Sequence, residues 1–565
     1  MTLSSPRRPR GPETPPYQED STAATRHLCA AAYLHDEFRE ISLRHVYYQP
    51  RRVVAPSYGF DLVPVLAHCL KARNGAIARD AAIVVTFLVT ACVSWMAILS
   101  VLSTMIYLQV VVASYRLFRD TFHRLRGVAT ENQASLVPRA IMLALGWVFA
   151  LSFGWFGTAL MVAQSTGAFV GGGLEGGVDQ AVGDAMLVLV GSLLLTLLIF
   201  AYPVGFSLWR QNELTHLAPG SRITVPARSA RLDEIAQQQR GNTVVYSGFQ
   251  PFVGSGAIVG RWGLALRLLR PQPSTAEVLN GAGGARSAVT ERQREFPEPP
   301  FEAQDLIEFV SRDLSVLLPE RAAEEQIAGL TVEGRVHLAG TEVSRLSTYS
   351  DPALMAGVIR HPTTPARHYL ACQIFSWGGE LITTVYVHIA VQGRSLYLEL
   401  STTALPPCLS EYRIVDSVEG TGAFAWLRAV RTGLVDTPAT IWRAPLSLTR
   451  ALINLIAGSG GGVGTANRLA KGYDYGARLS VREIASESFR NLVQISDVEK
   501  YQRLIERRVI ASVLDFLDER GIDTTEYRRR AVPGIQVGTL NGNLNSVGPN
   551  ANFHDKVDMR SGSDS

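Results

Sequence analysis

Cysteine is scarce in this chain, and lysine is scarcer. The five cysteines, Cys29, Cys69, Cys92, Cys372 and Cys408, are odd in number, far apart and free of any CxxC spacing. That argues against a disulfide framework or a thiolate zinc site and fits a reducing compartment. The four lysines, Lys71, Lys471, Lys500 and Lys556, leave nearly all positive charge to arginine, a skew that fits a GC-rich bacterial genome. No Gly-Lys dipeptide occurs, which excludes a P-loop. Arg7, Arg8 and Arg10 are followed by no apolar core within the first 30 residues, so a cleaved signal peptide is not expected. Net charge is only +4 over 565 residues, without the concentrated basic face of a nucleic-acid binder.

Apolar residues, by contrast, are abundant and grouped. They make up 47% of the chain, and mean hydropathy is +0.11 with 18% charged residues. Residues 81–115 carry no formal charge, and neither do 140–164 or 185–209. A spanning helix needs about 20 apolar residues, so these stretches predict four membrane helices, the first two as a hairpin. Arg116, Arg119, Arg124, Arg126 and Arg139 lie between the second and third spans, while 165–184 carries Glu175, Asp179 and Asp184 and no basic residue. The positive-inside rule then puts both termini on the cytoplasmic side of the cell membrane, with the lipid bilayer as a partner. With no ionisable residue inside a span, an anchor is expected rather than a transporter.

After Arg210 the pattern changes to short β-branched runs at 243–247, 261–269, 330–338, 369–376, 381–391 and 395–400, and to one amphipathic helix at 301–317. This predicts an α+β domain over 216–425. Its glycine-rich turn "VVYSGFQPFVGSG" (244–256) is a candidate ligand loop through Gly254, Ser255 and Gly256. It lacks the Lys-Ser/Thr of a phosphate loop, the third glycine of a dinucleotide fold and the first glycine of a nucleophile elbow. A tight turn that lets Phe249, Phe252 and Trp262 pack is the simpler reading, with a backbone-amide nest as the alternative. His361, His368 and Cys372 supply too few ligands for a metal site, although 368 and 372 share one strand face. No cofactor, metal or catalytic residue is assigned, and "SWGGE" (376–380) reads as a turn.

Residues 437–456 form an amphipathic segment with Ile441, Leu448, Leu452 and Leu455 on its apolar face, suited to a membrane surface or to burial on the α+β domain. "AGSGGGVG" (457–464) reads as a flexible joint. Residues 481–530 read as a helical interaction module, with Asp523 and Glu526 spaced as a capping box. The expected divisions are therefore 1–75, 76–215, 216–425, 426–470, 471–531 and a Gly/Asn-rich tail at 532–565. The stretches "APSYGFDLVPVLAHCLKAR", "YSGFQPFVGSG…W", "SWGGELITTVYV" and "LPPCLSEYRIVD" resemble a group of actinobacterial integral-membrane proteins. That resemblance covers most of the chain and implies an anchored protein, with no activity attached.

In the tail, Ile535, Gln536, Val537, Gly538 and Asn541 are similar to the core of the RIP homotypic interaction motif of amyloid-forming signalling proteins. The alternating aliphatic and amide side chains suit a stacked cross-β zipper, which would make the chain a homo-oligomer. A glycine-rich hairpin or an unstructured tail is the plainer alternative. Together these features predict a membrane-anchored scaffold or signalling protein that engages a protein partner and has no enzymatic constellation. The alternative is an α+β domain that senses a ligand or carries out catalysis.

Overall fold

The computed structural model describes residues 23–93, 141–148, 177–221, 229–271, 291–316, 329–342, 347–417, 422–459, 473–489 and 491–525, with scattered positions besides. In chain order the helices are α1 (Ala23–Leu34), α2 (Asp36–Ser42), α3 (Leu62–Val93), α4 (Gly177–Thr215), α5 (Ala230–Gln238), α6 (Glu291–Arg294), α7 (Ala303–Val316), α8 (Pro352–Arg360), α9 (Ala423–Ser459), α10 (Val481–Ile484) and α11 (Leu492–Glu519). The strands are β1 (Thr243–Tyr246), β2 (Ala257–Arg267), β3 (Leu330–Ala339), β4 (Arg367–Ser376), β5 (Leu381–Gln392) and β6 (Ser395–Leu405). The chain divides into two compact units, Met1–Cys69 with Arg222–Ile414 and Gly464–Ser565, and Leu70–Ser221 with Val415–Val463.

The first unit holds one sheet in the order β1-β3-β4-β5-β6-β2. β1 pairs parallel to β3, and every other pair is antiparallel. Side chains alternate between the two faces of a strand, and here the faces differ in chemistry. One carries Leu370, Cys372 and Ile374 of β4, Val385, Val387 and Ile389 of β5, and Leu396, Leu398 and Leu400 of β6. Helices α7 and α11 cover it with Leu306, Val310 and Leu314, and with Ile505, Val509, Val513 and Phe516. The α7 positions recur at intervals of four, one helical stripe, and each fully buried aliphatic side chain stabilises the fold by ~1.5–3 kcal/mol. The opposite face is polar and aromatic. Gln373 donates to Thr384 across the β4–β5 pair at 3.1 Å, Phe252 packs on Tyr369, Ala371 and Tyr386, and Tyr58 packs on Ile382 and Leu405.

These strands are the six that the sequence pattern predicts, so the α+β domain stands. Helix α11 is not a free interaction module, because its apolar stripe completes the sheet's core. Asp523 accepts from the Thr525 amide and pairs with Arg294. The capping box in this region belongs instead to Ser480 and Glu483 at α10.

In the second unit α9 runs along α4. Ile83, Ile199, Ile441 and Ala444 form a small core there, and a Cβ on Gly433 would stand 2.7 Å from the Val204 Cα. Lys71 pairs with Glu213 at 2.7 Å, while buried Asp80 pairs with Arg79 and accepts from Ser447. Of the expected 437–456 apolar face, Ile441 is buried and Leu452 is exposed.

Among the described residues no helix is long and apolar enough to cross a membrane. That overturns the expected four-helix membrane bundle with its hairpin. The physical reasons are charge and packing: Lys71, Arg73, Arg79 and Asp80 interrupt α3, and Ile83 of α3 and Ile199 of α4 are buried against Ile441 and Ala444 of α9.

Candidate functional site

Gly254 and Gly256 adopt φ of +95° and +86°, in the left-handed region that a side chain strains. Their neighbours add a second constraint. A Cβ at 254 would lie 2.8 Å from the Pro56 carbonyl oxygen, and one at 256 would lie 2.1 Å from the Ala404 carbonyl oxygen. Both amides point at one acceptor. The Gly254 and Gly256 N–H groups donate to Glu483 Oε1 at 2.7 and 3.0 Å, and the Ser480 N–H donates to Oε2 at 3.4 Å. The turn is thus an anion nest filled by a carboxylate of its own chain. Burial pushes the Glu483 carboxyl up, and the amides of Gly256, Gly254 and Ser480 pull it back only in part.

Ser255 is buried beside these glycines, its hydroxyl 2.5 Å from the Tyr386 hydroxyl. Phe252 enters a box of His337, Tyr369 and Tyr386, stacking on Tyr386 with centroids 4.4 Å apart. His337 bonds the Pro251 carbonyl through Nδ1 at 2.8 Å, and burial lowers its pKa to about 3, so the box is uncharged at neutral pH. Trp262 packs against the sheet core, but Phe249 is fully exposed and takes no part in the packing expected of it.

The polar network at the β5–β6–β2 end is closed as well. Glu399 accepts from Arg261 Nε and Nη2 at 3.0 and 2.9 Å and from the Tyr397 hydroxyl at 2.9 Å. Its lone pairs are committed, so it has little capacity for a ligand.

One histidine opens into a groove. His368, at the start of β4, is 6% exposed, and burial, with His388 nearby, lowers its pKa to about 4. No hydrogen bond joins its ring to another described residue. The ring fits because Gly334, opposite Leu370 in the β3–β4 register, has no side chain; a Cβ there would stand 2.9 Å from His368 Nε2. The ring lines a groove of about 320 Å³ whose floor is Ile307, Leu370 and Gly334 and whose rim is Glu308, Ser311 and Arg312 of α7. Ligand pockets span ~300–1,000 Å³, and this open groove lies at the lower end of that range. Positions 308, 311 and 312 share one face of α7 by the i, i+3, i+4 rule. Glu308 accepts from Gln304 at 2.9 Å, and Arg312 makes no ion pair with a described residue.

His368 and Cys372 do share the helix-covered face, as their spacing implies. Among the described residues no group of three His, Cys, Asp or Glu could hold a metal ion. Sequence reasoning missed Glu483, Gly334 and the Glu308–Arg312 rim. The tail residues Ile535, Gln536, Val537, Gly538 and Asn541 lie outside the described residues.

No curated protein and no solved structure matches this chain. The model of a family described as the AbeC-like domain does match, over residues 261–549. That range takes in the whole groove, Glu483 and the tail motif, and it begins after the Gly254–Gly256 turn. Matched over more than half of its length, the chain belongs to the AbeC-like domain family.

Proposed function

We propose that the sheet-bearing unit is a binding module that senses a small polar ligand in the groove between α7 and the β3–β4 pair. The observation that carries this reading is His368, a ring more than nine-tenths buried, uncharged at neutral pH, without a hydrogen-bond partner among the described residues and opening into the groove. The ring nitrogens face the groove rather than a sealed core, so a ligand seated there can donate to one and accept from the other. Binding is favoured over turnover because an imidazole with a pKa of about 4 is a weak base near neutral pH, where a general base works best with a pKa close to the ambient value.

The test is a thermal-shift screen of the full chain against small polar metabolites, repeated with Gly334→Ala, whose added methyl meets the ring, and with His368→Ala. Saturable stabilisation that both substitutions remove is the expected result. A screen without hits, or hits indifferent to both substitutions, would sink the reading.

A second reading rests on the tail sequence alone. Stacking of Ile535, Gln536, Val537 and Asn541 would make the chain a self-assembling signalling scaffold and a homo-oligomer. A 533–553 peptide that gives cross-β fibre diffraction supports it, and one that stays monomeric at high concentration removes it.

A further inference from the structure

We infer that the groove takes a zwitterion, an α-amino acid with an apolar side chain. This rests on the binding reading above and names the ligand class for the same site.

The rim carries one charge of each sign. Glu308 and Arg312 stand four residues apart, ~6 Å along the helix axis, with the acidic residue on the N-terminal side. That order and spacing favour an ion pair within a helix, yet the two make no ion pair with each other. Their charges flank the mouth and remain available to a ligand. A purely anionic ligand would meet Glu308, and a purely cationic one would meet Arg312. A ligand bearing both an ammonium and a carboxylate satisfies the two at once, and the Ser311 hydroxyl between them can donate to the carboxylate.

Below the rim the groove becomes apolar. Ile307 and Leu370 are both buried and offer a surface for an aliphatic or aromatic side chain. The neutral His368 ring supplies one donor and one acceptor at that depth. The groove's volume of about 320 Å³ is enough for a single amino acid.

Calorimetric titration of the full chain with L-leucine, 4-methylpentanoate and leucinamide tests each charge separately, because the second compound lacks the ammonium and the third lacks the carboxylate. L-leucine is expected to bind saturably, with each analogue about tenfold weaker or more, as loss of one charge-assisted hydrogen bond implies. The variants should redistribute this preference. Arg312→Gln should bring leucine and leucinamide to equal affinity, and Glu308→Gln should do the same for leucine and 4-methylpentanoate. Both residues are exposed, so the fold tolerates the changes. An analogue that binds as tightly as leucine overturns the zwitterion. So does failure of leucine together with the other common amino acids. If a compound of another class then binds in a His368-dependent way, the binding module stands without the zwitterion; if nothing binds, both fall.

Discussion

Glu483 sits in the anion nest of its own chain, and its protonation makes the stability of the fold depend on pH. Burial raises its folded pKa above the ordinary value, more than the amides of Gly256, Gly254 and Ser480 lower it. The folded state therefore keeps the proton to higher pH than the unfolded state. The sign follows from linkage: the contribution to stability is present at pH below the ordinary carboxyl value and is lost as pH rises through the folded one. Glu483→Gln leaves an oxygen to accept from both glycine amides and removes the ionisation. Urea unfolding of the two proteins from pH 4 to 8 should show the mutant gaining on the wild type as pH rises. If the wild type gains instead, the amides outweigh burial and the nest holds the carboxylate form. At this scale the sequence was legible in part. Ser480-x-x-Glu483 is a capping-box pattern that can be read locally. Its meeting with Gly254, 229 positions away, has no local signal.

At the scale of elements, all six strands and α7 follow from runs of β-branched and aromatic residues and from one helical stripe, signals that survive because burial is periodic. What such patterns leave out is the partner of each apolar face. Residues 492–519 show an apolar stripe that suits a partner protein as well as a sheet, and only the fold shows α11 closing the core over β5 and β6. Phe516 is central there, 3% exposed and edge-on to Phe301 and Phe309 at 5.1 and 5.3 Å. Phe516→Ala should lower the unfolding free energy of this unit by ~3–5 kcal/mol through lost burial and an unfilled cavity. A loss below about 1 kcal/mol in denaturant titration, near the average for any point mutation, would mean that α11 is a peripheral element rather than part of the core. The His368 groove was half legible in the same way. Its rim can be read from the polar positions of α7, whereas its depth depends on Gly334 facing Leu370 across the β3–β4 pair.

For the whole molecule, the sequence misleads most where it is most apolar. Uncharged runs suggest membrane spans in proportion to their length, but an apolar run is also what a helix needs when it packs on another helix along the chain's return path. Here the return path is long. Val415–Val463 comes back to Leu70–Ser221 after the sheet-bearing stretch, and α9 closes on α4 where Gly433 meets the Val204 backbone. No periodicity encodes that pairing, because its two halves are separated by more than 200 residues. A chain of two compact units is expected to depart from two-state unfolding and to melt in two calorimetric transitions. Gly433→Leu should shift only one of them downward, because a side chain at 433 has no room against the Val204 Cα and the Pro203 carbonyl. The transition that ligand in the His368 groove raises should be the other one, since every groove residue belongs to the sheet-bearing unit. If the substitution moves both transitions together, or if only one transition exists, the two units form a single cooperative body, and the groove would then sense changes made in the helical unit as well.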